Sequence, residues 1–402
     1  MRIQKQVKIA RVFFILSAFY GLSLRIYKHV DFIPFNYKNI LEGHSHIAFL
    51  GWGFLAVISL LGKEYFPQKQ NDSTRLKWFF RIMVYALFGL LVSFPLQGYQ
   101  FFSILFLSIF LLTSYFYLFS ILQELKNDKS IVTRFIKTGI FFYFLSSIAI
   151  WCVGIIVAKL GKHEIYYNTI YFYLHFLYNG FFVFTLLGLF FRYISKKVSA
   201  EKLQILSPFY ALTTLSCVLG YSLSMLWSND YITIRFLAVF SALLQLISLL
   251  YLLKILKVVF SVQLLKQVKL ILSFVFLAFI LKVILQFLSV FPELFHHVLL
   301  FKSNYIIGYI HLFTLGFLSP MIFVLFSTNL KIQLDKIGIA FYFTGFILSE
   351  FILFGQGIAS SHFKVTIPYY DFLLLGSSAL LFIGLLLIYF RSKKQSTLQE
   401  KN

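Results

Sequence analysis

Acidic residues and cysteines are both scarce in this 402-residue sequence. Asp and Glu together number 14 against 36 Lys and Arg, and charged residues of either sign make up 12% of the chain. A soluble globular protein carries about twice that charged fraction. The two cysteines, Cys152 and Cys217, lie inside apolar runs. The sequence therefore indicates neither a disulfide framework nor a thiolate metal site, and it predicts two small buried hydrophobes.

Hydrophobic residues fill the space that charge leaves. They make up 60% of the chain, aromatic residues make up 20%, and the mean hydropathy is +0.85. The bilayer is therefore predicted to be the solvent for most of the chain. A spanning helix with its connection takes roughly 30 residues, so about twelve or thirteen spans fit into one all-helical transmembrane domain over residues 1–402. The first apolar run, from Val12 to Leu24, lacks a small-residue cleavage site and is predicted to be a retained helix.

Twelve apolar runs separated by charged breaks are the candidate spans. They lie near residues 9–25, 40–62, 77–96, 98–124, 134–157, 168–193, 206–226, 231–256, 266–291, 304–328, 334–356 and 370–391. With the N-terminus inside, 27 of the 36 Lys and Arg fall on inner segments and eight on outer segments, while Lys282 lies within a span. Because cytoplasmic loops are enriched in Lys and Arg, this asymmetry predicts a bacterial inner (cytoplasmic) membrane protein with both termini cytoplasmic.

The net charge of +22 has the same explanation. The basic residues sit in short loops between apolar runs, as topology signals do, so they predict no nucleic-acid partner. The expected partner of most of the surface is the lipid bilayer.

All nine histidines fall on the outer side of this map. Five lie in predicted outer loops and four in the outer ends of helices: His29, His163, His296, His297 and His362, and then His44, His46, His175 and His311. Imidazole binds metals and titrates near neutral pH, so this distribution predicts metal or proton chemistry at the outer face. The adjacent pair at 296 and 297 is predicted to be solvated, with a loop metal site as the alternative.

One motif recurs at the start of the second, sixth and tenth spans. It reads N-x6-H-x4-G and comprises Asn39, His46 and Gly51, then Asn168, His175 and Gly180, then Asn304, His311 and Gly316. The histidines are 129 and 136 residues apart, which is the length of four spans with their loops. The chain is therefore predicted to contain three four-helix repeats, over 9–125, 134–257 and 266–391, related by a pseudo-threefold axis along the membrane normal.

Each letter of the motif has a predicted physical role. The asparagine is expected to be the N-cap of its helix. The histidine, seven residues later, would lie roughly 10 Å deeper, at one depth on three parallel helices. The glycine is expected to let another helix backbone approach closely. Because imidazole in hydrocarbon is costly, the histidines are predicted to form a site; polar packing inherited by duplication is the alternative.

Other polar residues near that depth are open to two interpretations. His44 precedes the first motif histidine by two positions and points about 160° away from it on a continuous helix, so the two would share a metal only at a frayed helix start. Tyr173 and Tyr309, at the same motif position, are predicted to belong to the aromatic belt, with contact to a haem propionate as the alternative. Lys282 and Glu350 are either buried partners in a polar site or snorkelling side chains.

Twelve spans in three arcs, with histidines near the outer face on the second, sixth and tenth, resemble subunit I of the haem-copper oxidases and nitric-oxide reductases. The NnrS-type membrane haem proteins look similar. In that superfamily the second and tenth helices hold a low-spin haem, and the sixth, seventh and tenth hold the haem and metal that reduce oxygen or nitric oxide. By position, the resemblance implies haem b held by His46 and His311, with His175 at the place of the sixth-helix copper ligand.

The sequence departs from that family at the reducing centre. The seventh span, near 206–226, has no histidine where the family has an adjacent pair. The tenth has Tyr309 and His311 where the family has two histidines, and Asn179 follows His175 where many oxidases have a tyrosine. The resemblance therefore implies a haem-copper oxidase-like protein without a complete oxygen-reducing centre.

Two functions of different classes follow. The first is an integral membrane haem b-binding protein, ligated by His46 and His311, for electron transfer or for a response to nitric-oxide or metal stress. It would use a periplasmic or membrane electron-transfer partner. The second is a copper- or zinc-binding or transport protein in which His46, His175 and His311 hold the metal, with His44 as a further candidate ligand.

Overall fold

The computed structural model describes residues 3–30, 34–66, 74–228, 231–291 and 302–394. Twelve helices in these ranges are long and apolar enough to cross a membrane. They are α1 (Ile3–Ile26), α2 (Tyr37–Tyr65), α3 (Thr74–Gln97), α4 (Phe101–Glu124), α5 (Ile131–Leu160), α6 (Glu164–Ser195), α7 (Ala200–Met225), α8 (Ile232–Ser261), α9 (Lys266–Leu288), α10 (Ser303–Asn329), α11 (Lys336–His362) and α12 (Tyr370–Arg391). Each predicted span coincides with one of these helices, so the prediction of an all-helical, multi-pass membrane protein is confirmed.

The outward surfaces of the helices are apolar. Phe101, Phe351 and Phe390 are 69%, 75% and 75% exposed. Large apolar surfaces of this kind are unfavourable in water and suit contact with acyl chains. Within each helix the backbone hydrogen bonds are made locally, which is what hydrocarbon requires of a spanning segment.

The helices form two compact units. Unit 1 consists of Met1–Lys126 and Leu325–Asn402, and unit 2 of Asn127–Val324. In unit 1, α11 packs along α12, α1 contacts both α12 and α2, and α3 packs along α4. A short antiparallel pairing of β1 (Ile332–Gln333) with β2 (Lys393–Lys394) joins the start of α11 to the end of α12. In unit 2, α5 packs against α6, α7 against α8, and α9 against both α8 and the first part of α10.

The helices that carry the motif, α2, α6 and α10, are the most enclosed of the twelve. Their apolar windows are 83%, 89% and 72% buried, whereas those of the other nine are at most 50% buried. A helix shielded from lipid on most sides can carry polar side chains at lower cost than one facing acyl chains. The motif histidines therefore lie on the three helices best suited to hold them.

Each of these three helices changes from α-helical to π-helical geometry at the residue that follows its motif histidine. The π-helical segments are Ile47–Phe54, Phe176–Phe182 and Leu312–Leu318. The motif glycine lies inside each segment. Such turns are rare, interrupt the regular hydrogen-bond ladder and occur frequently at functional sites.

The motif asparagines are not N-caps, so that prediction is wrong. The cap of α2 is Asn36, three residues before Asn39, and the cap position of α6 is His163, five residues before Asn168. Asn304 likewise lies inside α10. The prediction equated the start of the apolar run with the start of the helix. The helices begin earlier, because their first turns are built from the polar residues of the membrane interface.

Candidate functional site

His46 is half-buried at the end of the α-helical part of α2. Its Nδ1 lies 2.8 Å from the carbonyl oxygen of Glu42, one turn earlier, and donates its proton to it. The lone pair is therefore on Nε2, which lies 3.1 Å from the hydroxyl of Tyr99. Phe94 of α3 stacks on the ring, with 4.5 Å between centroids. A backbone carbonyl at Nδ1 is an arrangement that fixes the tautomer and orientation of metal-binding imidazoles.

His44 faces a different neighbour of α2. Its Nδ1 donates to the carbonyl oxygen of Ser17 on α1, at 2.8 Å. The ring lies against Gly21, where an added Cβ would come within 3.0 Å of the imidazole Cε1. Helix positions two apart are rotated by about 200°. His44 and His46 accordingly contact α1 and α3, and they lie on separate sides of α2.

His175 is more enclosed than His46, with 4% of its surface exposed. Its Nε2 donates to the carbonyl oxygen of Cys217 on α7 at 2.8 Å. Its Nδ1 accepts from the side-chain amide of Asn179 at 3.2 Å. Both ring nitrogens are therefore engaged, and a metal could reach Nδ1 only by displacing the amide.

Lys282 belongs to the same polar neighbourhood of unit 2. It is 4% exposed, and its Nζ donates to Oε1 of Gln286 at 2.9 Å, one turn further along α9. Its charge is within electrostatic range of His175 and of the Cys217 thiol. Of the two interpretations of Lys282, the structure shows a buried polar partner and not a side chain that snorkels to the interface.

Glu350 is the corresponding buried charged residue of unit 1. Both of its carboxyl oxygens are buried, and neither accepts a hydrogen bond from the part of the chain that the structure describes. The side chain does not extend to the membrane interface. A buried carboxyl group without hydrogen-bond donors is costly, so its place on α11 is a structural feature that packing does not explain.

His311 occupies the end of the α-helical part of α10 and is half-buried. In unit 2 the π-helical segment that follows it contacts α6: Phe313 stacks on Tyr178, with 5.2 Å between centroids. The motif histidines are thus distributed over both units, with His46 in unit 1 and His175 and His311 in unit 2.

The motif asparagines hold the connections that follow α3 and α7. Oδ1 of Asn39 would lie 2.6 Å from a Cβ at Gly98, whose φ of +64° also favours glycine. Oδ1 of Asn168 accepts from the indole nitrogen of Trp227 at 3.0 Å and from the hydroxyl of Ser228 at 3.3 Å. Gly98 and Trp227 are 129 residues apart, as are the two asparagines.

The motif glycines make room for phenylalanine rings. An added Cβ at Gly51 would lie 3.0 Å from Cβ of Phe13 on α1, and one at Gly180 would lie 2.5 Å from Cβ of Phe142 on α5. Phe13 and Phe142 are again 129 residues apart. The prediction of a close approach is confirmed, but the approaching group is a side chain and not a backbone.

Sequence reasoning missed the groups that position the histidines. Three are backbone carbonyls, of Ser17, Glu42 and Cys217, and a carbonyl carries no residue-type signal. Tyr99 was also missed, although it directly follows Gly98. A search for further residues at the 129-residue spacing would have found the Phe13 and Phe142 pair.

Across the described ranges, no three His, Cys, Asp or Glu side chains gather as a group able to hold a metal ion. His296 and His297 lie outside those ranges, so their predicted solvation stays a prediction. Neither a protein-family model nor a curated protein sequence matches this chain.

Proposed function

We propose that this chain is a haem b protein of the bacterial inner membrane, built from three four-helix repeats, with His46 and His311 as the axial ligands. The observation that carries the proposal is the state of the His46 ring. Its Nδ1 proton is committed to the Glu42 carbonyl, which leaves the lone pair on Nε2. A haem ligand needs an unprotonated imidazole nitrogen held in a fixed orientation, and this ring satisfies both requirements.

The repeats are supported by contacts as well as by the motif. Asn39 with Gly98 and Asn168 with Trp227 keep one spacing, and so do the two glycine–phenylalanine pairs. A π-helical segment follows each motif histidine. Divergence of one ancestral unit explains why unrelated side chains, such as Gly98 and Trp227, occupy the same place against the asparagine. The resemblance to haem-copper oxidase subunit I supplies the expected closure of the three units.

Residues around His46 have defined tasks in the proposed site. The Glu42 carbonyl sets the tautomer and the ring plane, and Phe94 excludes water from one face of the ring. The Tyr99 hydroxyl, which is bonded to Nε2, must rotate away before that nitrogen can act as a ligand. When bound, haem would supply one-electron transfer or binding of nitric oxide. The apolar surroundings of the enclosed helices would tune its potential.

His175 has a separate role in the proposal. With Nε2 on the Cys217 carbonyl and Nδ1 on Asn179, its ring is fully bonded. It is expected to support packing and the polar neighbourhood of Lys282, and to bind at most a weakly held metal. The copper or zinc alternative requires both of these hydrogen bonds, or at least one, to be given up.

Chemical analysis of the purified chain distinguishes the two functions. Protein made in cells supplied with a haem precursor should show the pyridine haemochrome of haem b at about one equivalent per chain, and a low-spin reduced-minus-oxidised spectrum. Iron should be the metal present. Copper or zinc at a comparable level in haem-free protein would contradict the proposal and support the histidine metal site.

A further inference from the structure

Two connections of unit 2 enclose a cavity at the predicted inner membrane face. The segment that joins α6 to α7 supplies Lys197, Ser199 and Lys202, and the segment that joins α8 to α9 supplies Ser261 and Gln263. The cavity has a volume of about 500 Å³. This lies within the usual range for sites that take a small molecule or a headgroup. Two ammonium groups, two hydroxyls and one amide therefore line a single space.

The positive charge of this cavity is not neutralised by the protein. The Lys197 ammonium lies over the ring of Tyr193, 5.1 Å from its centroid. Neither Lys197 nor Lys202 forms an ion pair with any residue in the described ranges. Glu201 is the one acidic residue in the sequence between 192 and 205 or between 254 and 269. Ammonium and hydroxyl donors together suit the oxygens of a phosphate group.

Apolar side chains border the same cavity. Val198 and Val262 contribute to its lining. Leu265, two residues beyond the lining residue Gln263, is 55% exposed, and Leu253 in the last turns of α8 is 47% exposed. A soluble oxyanion gains nothing from exposed leucines. A phospholipid gains from both features, because its phosphate can bind the lysines while its acyl chains follow the leucines.

We propose that this cavity is a binding site for the phosphate headgroup of an anionic phospholipid. Lys197 and Lys202 provide the charge, and the hydroxyls of Ser199 and Ser261 donate hydrogen bonds to phosphate oxygens. The bound lipid joins the α6–α7 connection to the α8–α9 connection and so stabilises unit 2. The site is independent of the proposed haem function.

Native mass spectrometry of the full, delipidated chain in a neutral detergent tests the site. The probes are dioleoyl phosphatidylglycerol, dioleoyl phosphatidylcholine and the soluble glycerol 3-phosphate. The double variant Lys197→Gln/Lys202→Gln removes the cavity charges. The control Lys254→Gln/Lys257→Gln removes two exposed lysines from the end of α8 that do not line the cavity. All four lysines are exposed, so both variants should keep the wild-type unfolding midpoint without lipid.

The wild type should bind phosphatidylglycerol in preference to phosphatidylcholine. The cavity variant should bind phosphatidylglycerol about 30-fold more weakly, equivalent to about 2 kcal/mol for two lysines, and the control less than about 3-fold more weakly. Equal losses in the two variants would show diffuse attraction and overturn the proposal. Equal binding of the two lipids would also overturn it. Binding of glycerol 3-phosphate as tight as that of the lipid would identify a soluble phosphate compound as the ligand instead.

Discussion

His46 and His175 occupy the same motif position, yet they expose different ring nitrogens. Nδ1 of His46 is protonated towards the Glu42 carbonyl, whereas Nε2 of His175 is protonated towards the Cys217 carbonyl. The fourth residue after His175 is Asn179, which holds the remaining nitrogen, and the fourth residue after His46 is Leu50. One apolar side chain in place of an amide is therefore enough to leave one imidazole available for a ligand and the other saturated.

The motif asparagine gives a prediction at the scale of a single residue. Asn168→Ala removes the acceptor for the Trp227 indole and the Ser228 hydroxyl, so the mutation should lower the free energy of unfolding by about 1 kcal/mol or more. The neighbouring Thr169→Ala removes only a hydroxyl bonded to the Ile165 carbonyl within the same helix, and it should change stability much less. Thermal unfolding in one detergent measures both, and equal midpoints for the two variants would contradict the assigned role.

At the scale of elements, the π-helical segments and the phenylalanine contacts belong together. A π-helical turn widens the helix at a place where another side chain must be accommodated. Gly180 lies in the π-helical segment of α6 and receives Phe142 of α5, as Gly51 in α2 receives Phe13 of α1. The glycine therefore couples the helix geometry after each histidine to the preceding helix of its repeat.

Gly180→Ala tests this coupling. The added methyl group would lie 2.5 Å from Cβ and 2.7 Å from Cγ of Phe142, and should cost about 1–3 kcal/mol through overpacking. Gly154→Ala on α5 is the matched control, because nothing lies within 4 Å of its added Cβ and alanine favours the helix. Thermal unfolding midpoints should fall for the first variant and stay level or rise for the second. A shared shift would count against the close contact.

The connection between α4 and α5 gives a prediction about pH. Burial by itself raises the pKa of Asp128, but hydrogen bonds from Ser130 and Thr133 and the charge of Arg192 outweigh it, so the pKa lies below its ordinary value. A carboxylate with a lowered folded-state pKa contributes stability above its unfolded pKa of about 3.9, and this contribution is lost as the pH falls through the folded value.

Unfolding midpoints of the wild type and Asp128→Asn, measured from pH 7 down to pH 3, test this sign. The variant should be less stable at pH 7, and the difference should shrink towards pH 3. Asp371→Asn, which removes an exposed ion pair with Lys28, provides a surface control. A difference for Asp128→Asn that stays constant with pH would contradict the assignment.

The elements could be predicted from the sequence to different extents. All twelve spans were predictable because length and hydropathy determine them directly. The helix starts were not, since Asn36 and Asn39 are equally good caps by residue type and only the interface decides between them. Tyr99 could not be assigned to His46 without knowing how the turn at Gly98 directs the chain. The carbonyl partners of the histidines depend on packing between helices, which the motif does not encode.

At the scale of the whole molecule, the distribution of Lys and Arg predicts both termini on the cytoplasmic side. A C-terminal green fluorescent protein fusion should fluoresce, and a C-terminal alkaline phosphatase fusion should be inactive. Fusion at Thr366, between α11 and α12, is the control and should reverse both results. Active phosphatase at the C-terminus would invert the whole topology and place the motif histidines at the inner face.

The central claim is that one imidazole from α2 and one from α10 hold haem b while that of α6 does not. Reduced-minus-oxidised visible spectra of the purified His46→Ala, His311→Ala and His175→Ala variants, at equal protein concentration, test it most directly. Bis-imidazole ligation requires both rings, so the low-spin haem b signal should be abolished in the first two variants and retained in the third. Loss of the signal only in His175→Ala, or its retention in both His46→Ala and His311→Ala, would contradict the account.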